Sequence, residues 1–232
     1  MDRLGNICYT NEKPYKNDYE WRNIMKVIKI PSQGYESNCW LLLDEESKAF
    51  VIIDPSASIE NILQSVRQRG LDEKKLQYIL LTHGHFDHIL SVDLLREATG
   101  APVLIHAGDE SFLTNAEHNA YKPLFRRDLT MQPADRILQD GDLLPFGSGT
   151  IRVMSTPGHT QGSVCYIIET VMFTGDTLFD QDIGRTDLYG GSMDQLQKSL
   201  QAIAAMEGNY MVYPGHGSVT TLEKQRAYNP YL

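Results

Sequence analysis

The sequence predicts an α/β protein built as a four-layer αββα sandwich, with two sheets face to face and helices on the outside. Three observations predict it. Short strand-like segments come in two runs, one between residues 26 and 105 and one between 137 and 173. Both halves also carry stretches with apolar residues at helical spacing. Metal-ligand residue types recur directly after strand-like segments, where α/β proteins gather functional side chains on loops.

Residues 1–24 show neither clean periodicity nor strong turn signals and read as an N-terminal leader, so one domain is expected over 25–232. Strands are expected at 26–30, 38–43 and 49–53, separated by turn-like residues around Gly34 and at 44–47. Ile59, Ile62, Leu63 and Val66 then mark an amphipathic helix that Gly70 can end. The next strand covers 77–81, and a helix with Ile89, Val92, Leu95 and Ala98 on its buried face runs to Gly100. A short strand follows at 103–105. Residues 107–134 are the least regular part of the chain, and a loop of that length inside a domain is expected to cover a functional site. The second run places strands at 137–138, 143–144, 151–154, 164–168 and 171–173. Met193, Leu196, Leu200, Ile203 and Ala204 mark a helix, 211–213 a last strand and 222–227 a closing helix.

Composition narrows the function classes. No apolar run approaches the roughly 18 residues of a membrane helix, and the polar start lacks the apolar centre of a signal peptide. A net charge of -9 repels a phosphate backbone, so a nucleic-acid partner is not expected and a small-molecule substrate is. The three cysteines, Cys8, Cys39 and Cys165, form an odd set without close pairing, which suits a reducing compartment and points to the cytoplasm. Neither a Gly-x-Ser-x-Gly elbow nor a P-loop occurs, so serine-hydrolase and nucleotide-binding readings lack support.

The chemistry concentrates in Thr82-His83-Gly84-His85-Phe86-Asp87-His88, which packs three imidazoles and a carboxylate after a strand. Neutral imidazole offers a lone pair near pH 7, and a carboxylate adds the negative charge that a divalent cation needs. Three further candidates stand at strand ends behind a glycine: His159, Asp176 and His216. Five of the seven histidines fall in these loops, leaving His106 and His118 as packed or solvated side chains. The pairs His83/His85 and Asp87/His88 can serve two different ions from one tight loop. Two neighbouring cations require a shared anion, and a carboxylate such as Asp176 can bridge them, so a dinuclear centre is expected.

These stretches, together with Asp54, Gly184-Arg185-Thr186-Asp187 and Tyr213-Pro214-Gly215-His216, resemble the metallo-β-lactamase superfamily, and within it the glyoxalase II (hydroxyacylglutathione hydrolase) branch. The resemblance implies the αββα fold, one metal on His83, His85 and His159, a second on Asp87, His88 and His216, and Asp176 bridging. Asp54 would orient ligands rather than bind metal. The resemblance further implies a thioesterase for a small acidic thioester, with metal-bound hydroxide as nucleophile and Asp87 and Asp176 as the catalytic carboxylates around it. Zinc is the first expectation for the two divalent ions, with iron or manganese compatible with the same donors. Arg185 stands where the branch holds a glutathione carboxylate, and Tyr189 is a second candidate for substrate binding. Two departures from that branch are visible: Ser218 replaces a tyrosine, and the chain reads as a short form lacking the C-terminal helical domain. The same fold also offers a mononuclear-iron persulfide dioxygenase and other ester or lactone hydrolases as alternatives.

Overall fold

A computed structural model describes residues 25–32 and 37–232; the expected leader over 1–24 lies outside the described residues. The first half folds as β1 (Met25–Ile30), β2 (Cys39–Asp44), β3 (Phe50–Ile53), α1 (Ile59–Gln68), β4 (Leu76–Leu80), α2 (Phe86–Ile89), α3 (Val92–Thr99), β5 (Val103–His106), α4 (Glu110–Thr114), α5 (Tyr121–Phe125) and β6 (Arg136–Leu138). The second half follows as β7 (Leu143–Phe146), β8 (Gly149–Ser155), β9 (Val164–Ile168), β10 (Val171–Gly175), α6 (Met193–Ala204), β11 (Met211–Pro214), β12 (Thr220–Thr221) and α7 (Leu222–Tyr228). The six strands β1 to β6 lie side by side in chain order, antiparallel up to β3 and parallel from β3 onward. The other sheet runs β12-β11-β10-β9-β8-β7, antiparallel except for the parallel pair β10 and β11.

Strand periodicity builds the layers. Successive side chains on a strand point to opposite faces. In β2, Leu41 and Leu43 therefore join Ile62, Val66 and Leu95 in an outer core under α1 and α3, while Trp40 and Leu42 meet Phe146, Val153 and Tyr166 between the sheets. In β9, Val164, Tyr166 and Ile168 face that central core, and Cys165 and Ile167 pack with Leu196, Leu200 and Ile203 of α6. Three cores between four layers make the αββα sandwich. Both faces of β2, β3 and β9 are covered, which explains why these strands read as continuous apolar runs.

Helix ends follow local chemistry. Ser58 and Ser192 cap α1 and α6 by accepting from Asn61 N and Gln195 N, and α3 ends on Gly100 at φ 78°, a left-handed C-cap. Three expectations need correction. The strand expected at 137–138 as the start of the second run instead joins the first sheet as β6, parallel to β5. The helix expected from Ile89 to Ala98 is broken after α2, because Ser91 N donates to Pro55 O (3.0 Å) and Ser91 Oγ to Ala57 O (2.6 Å), tying the break to the loop after β3. Residues 107–134 contain α4 and α5, each too short for periodicity to reveal. Among the described residues no helix is long and apolar enough to cross a membrane.

Candidate metal centre

All the candidate ligands converge at one end of the sandwich, where the sheets are stitched together. Tyr166 Oη donates to Leu81 O (2.7 Å), Val164 N to Thr82 O (2.9 Å) and Trp40 Nε1 to Pro214 O (3.0 Å). Loops from both sheets are thereby held within reach of one another. Strand β4 delivers His83, His85, Asp87 and His88; β8 delivers His159, β10 Asp176 and β11 His216.

Two donor sets result. His83, His85 and His159 form the first, with ligand atoms within 4.8 Å of one another; Asp87, His88 and His216 form the second. In the first, His85 Nδ1 and His159 Nε2 face each other at 2.8 Å. His159 Nδ1 donates to Arg185 O (2.7 Å), which leaves the Nε2 lone pair pointing at the centre. In the second, His216 Nε2 lies 3.2 Å from Asp87 Oδ2 and 3.4 Å from His88 Nε2. Asp176 sits between them: Oδ1 is 3.4 Å from His88 Nε2, and Oδ2 is 3.5 Å from His159 Nε2 and 3.6 Å from His216 Nε2. The first set is fully buried, whereas Asp87 and His216 are partly exposed, so solvent reaches the centre from the second set. A cleft of about 340 Å³ opens there, lined by Phe179, Asp180, Asp182, His216 and Ser218.

Asp54 groups geometrically with His83 and His88 as a third possible donor set. Its oxygens are already engaged, however. Thr82 N donates to Oδ1 (2.8 Å), while Thr82 Oγ1 (2.7 Å) and His88 Nδ1 (3.0 Å) reach Oδ2. In its neutral form, with the proton on Nδ1 toward Asp54, His88 presents its lone pair from Nε2, toward Asp87 and Asp176. Asp54→Asn is therefore expected to weaken metal binding by roughly 10- to 100-fold, as loss of a partner behind a ligand does. Chelator competition measures it, and unchanged affinity would show that His88 orients itself.

The electrostatics suit a cation. Burial, reinforced by neighbouring imidazoles, holds His83 and His85 well below the ordinary histidine range, and burial lowers His159, so all three are neutral donors near pH 7. Burial pushes the Asp87 carboxyl up, but His88 and hydrogen bonds from His216 and Ser37 outweigh it and leave it well below the usual range. His88 shows the strength of the field: burial opposes its charge, yet Asp87, Asp176 and Asp54 raise it to about 10. Buried His83 Nε2, His85 Nε2 and Asp176 Oδ1 have no hydrogen-bond partner. Unpaired buried polar atoms are costly, and convergent ones of these types fit a divalent metal ion.

Arg185 and Tyr189 lie on the rim. The Arg185 guanidinium is exposed and pairs bidentately with Asp187, at 2.6 and 2.7 Å. Tyr189 stacks on His118 with ring centroids 3.8 Å apart and meets Phe112, which in turn meets His85. His118 is thus part of an aromatic wall rather than a solvated side chain. His106 is packed as expected, accepting from Gly108 N and bonded through Nε2 to Ser155 Oγ (3.0 Å).

Sequence reasoning missed residues that fasten the loops. Ser37 Oγ donates to Asp87 Oδ2 (2.8 Å), and Asn38 holds the His216 loop through Pro214 O and Gly217 O. Asp109 binds Gly84, Thr160 and Gly162. Ser37 and Asn38 carry no distinguishing signal, but Gly108-Asp109 after β5 repeats the strand-Gly-Asp pattern of Gly175-Asp176.

Known proteins are similar to this chain over most of its length. The Haemophilus influenzae hydroxyacylglutathione hydrolase GloC is 30% identical over 212 residues, which cover 90% of this chain and 98% of GloC. The crystal structure of BLEG-1, a B3 metallo-beta-lactamase, is 36% identical with a TM-score of 0.83, covering 89% of this chain and 99% of that one. The structure of TTHA1623 in a di-iron-bound form is 31% identical with a TM-score of 0.74, covering 88% of this chain and all of that one. The family description Metallo-beta-lactamase superfamily matches residues 33–216, a span that includes every residue of both donor sets and Asp176. This chain belongs to the metallo-beta-lactamase superfamily.

Proposed function

We propose that the protein is a dinuclear-metal hydrolase of small acidic thioesters, of the hydroxyacylglutathione hydrolase type. The observation that carries the reading is the Asp176 carboxylate, which reaches His159 of the first donor set and His88 and His216 of the second. A carboxylate so placed suits two ions with a shared anion. Divalent ions held by these residues would supply water ionised near neutral pH and polarisation of a carbonyl. The chain's own residues hold the donors ready: Asp54 fixes the tautomer of His88, the Arg185 carbonyl fixes that of His159, and Ser37 orients Asp87.

A thiolate leaves without strong acid catalysis. Asp109, whose carboxyl burial raises to about 6, is fully buried and bonded to three donors, so it is out of reach of a substrate. Kinship with GloC supports a thioester, and GloC is matched over 98% of its length, so the named activity does not require a much longer chain. Arg185 would exchange Asp187 for a substrate carboxylate, with Tyr189 and His118 as the adjoining wall. A cytoplasmic setting is supported by Cys39 and Cys165, both buried free thiols.

The 36% identity to BLEG-1 favours a second reading, hydrolysis of a β-lactam. The mononuclear-iron dioxygenase alternative is disfavoured because Asp87, His88 and His216 complete a second donor set. Metal analysis paired with a panel of S-lactoylglutathione, other thioesters, a lactone, a β-lactam and a persulfide tests all of these. Near two ions per chain and thioester turnover are expected. Preferential β-lactam turnover, or oxygen consumption with the persulfide and one iron per chain, would replace the proposal.

A further inference from the structure

Asp109 takes no place in either donor set, yet it is fully buried and receives three hydrogen bonds from the loops that carry the first one. Oδ2 accepts from Gly84 N (2.9 Å), between His83 and His85, and from Thr160 Oγ1 (2.7 Å), next to His159. Oδ1 accepts from Gly162 N (2.7 Å). One carboxylate thus joins a loop of the first sheet to a loop of the second.

Packing around it is equally specific. A methyl group on Gly162 would strike Asp109 N and lie 2.7 Å from its Cβ and Cγ, and one on Gly108 would lie 2.7 Å from the Gln161 carbonyl. On the other side, a methyl group on Gly84 would strike Phe112 Cβ in α4. The turn carrying Asp109 is therefore wedged between the two ligand loops, with glycines at the points of closest approach. Holding the carboxylate there has a cost: burial raises it to about 6 although all three donors lower it. The second set is fastened differently, by Ser37 on Asp87 and by Asn38 on the His216 loop.

We propose that Asp109 is a positioning residue for the first donor set: it holds the Gly84 and Thr160–Gly162 loops at the separation that lets His83, His85 and His159 share one ion. It acts through the backbone and touches neither ion nor substrate. The second set does not depend on it. This inference rests on the centre being a metal site, a point that the unaltered chain tests separately.

The test is chelator competition with zinc, with metal content measured on the full chain. Asp109→Asn keeps the shape but turns an amide donor toward groups that are already donors. In a His216→Ala background, where the first set remains, Asp109→Asn is expected to weaken zinc binding by roughly 10- to 100-fold. In a His159→Ala background, where the second set remains, it is expected to change affinity by less than about threefold. Thr160→Val removes one donor and leaves Asp109 intact, so a smaller loss in the first background alone is expected, and this variant decides the matter if Asp109→Asn does not fold. Equal losses in both backgrounds, or a lowered melting temperature with zinc affinity unchanged, would make Asp109 a general structural residue and overturn the inference. An unaltered chain that binds no metal would instead overturn the reading of the centre.

Discussion

Asp176→Ala is expected to lower thioester turnover by roughly 10²- to 10³-fold or more, the scale on which single charge-stabilising groups act, and to bring metal content from near two ions per chain toward one. The reason is its position. Its two oxygens lie within 3.4 to 3.6 Å of ligand nitrogens in both donor sets, and Oδ1 is buried without a hydrogen-bond partner. Removing the carboxylate takes away the negative charge shared by both sets while leaving six other donors in place. Asp176→Asn separates charge from shape, because it preserves the volume and one acceptor oxygen. It should fall between the parent and Asp176→Ala in metal content while losing most turnover. Turnover within tenfold of the parent in both variants, with kcat and KM measured separately, would mean that Asp176 does not bridge.

Gly215→Ala should be nearly as damaging, although it adds a single methyl group and removes no ligand. A Cβ at this position would land on Asp176 Oδ1 and lie 2.8 Å from His88 Cε1 and 2.9 Å from Gly175 C. Packed interiors do not absorb such overlap without moving side chains. Here the side chains that must move are Asp176 and His88, so metal content and turnover should both drop, turnover by at least about 10²-fold. Gly217→Ala is the control. Its Cβ would meet nothing within 4 Å, and the φ of +75° costs an alanine only about 1–2 kcal/mol. That variant should melt at a lower temperature yet keep its metal. Equal metal loss in both variants would show that the His216 loop simply tolerates no substitution, and the steric explanation would fail.

Much of this centre was legible in the chain because metal chemistry leaves a local signature. His83, His85, Asp87 and His88 lie within six residues, and His159, Asp176 and His216 each follow a strand and a glycine. The strands themselves were legible because buried positions alternate or run continuously along β2, β3 and β9. The break at Ser91 was not, since its cause is a pair of hydrogen bonds to residues 55 and 57, more than thirty positions away. Helices α4 and α5 were missed because five residues cannot display a helical period.

The residue types and their order by themselves determined the layered α/β fold, the donor inventory and the superfamily, because each depends on spacing along a strand, a helix or a loop. Only the tertiary structure shows which of these side chains meet, with His159 meeting His85 across 74 positions and His216 meeting His88 across 128. It also shows that Asp54 meets His88 at Nδ1, that Arg185 is paired with Asp187, and that Asp109 accepts from Gly84 while Ser37 donates to Asp87. Hydrogen bonds and close approaches between distant segments depend on how the two sheets face each other, and local sequence periodicity carries no record of that.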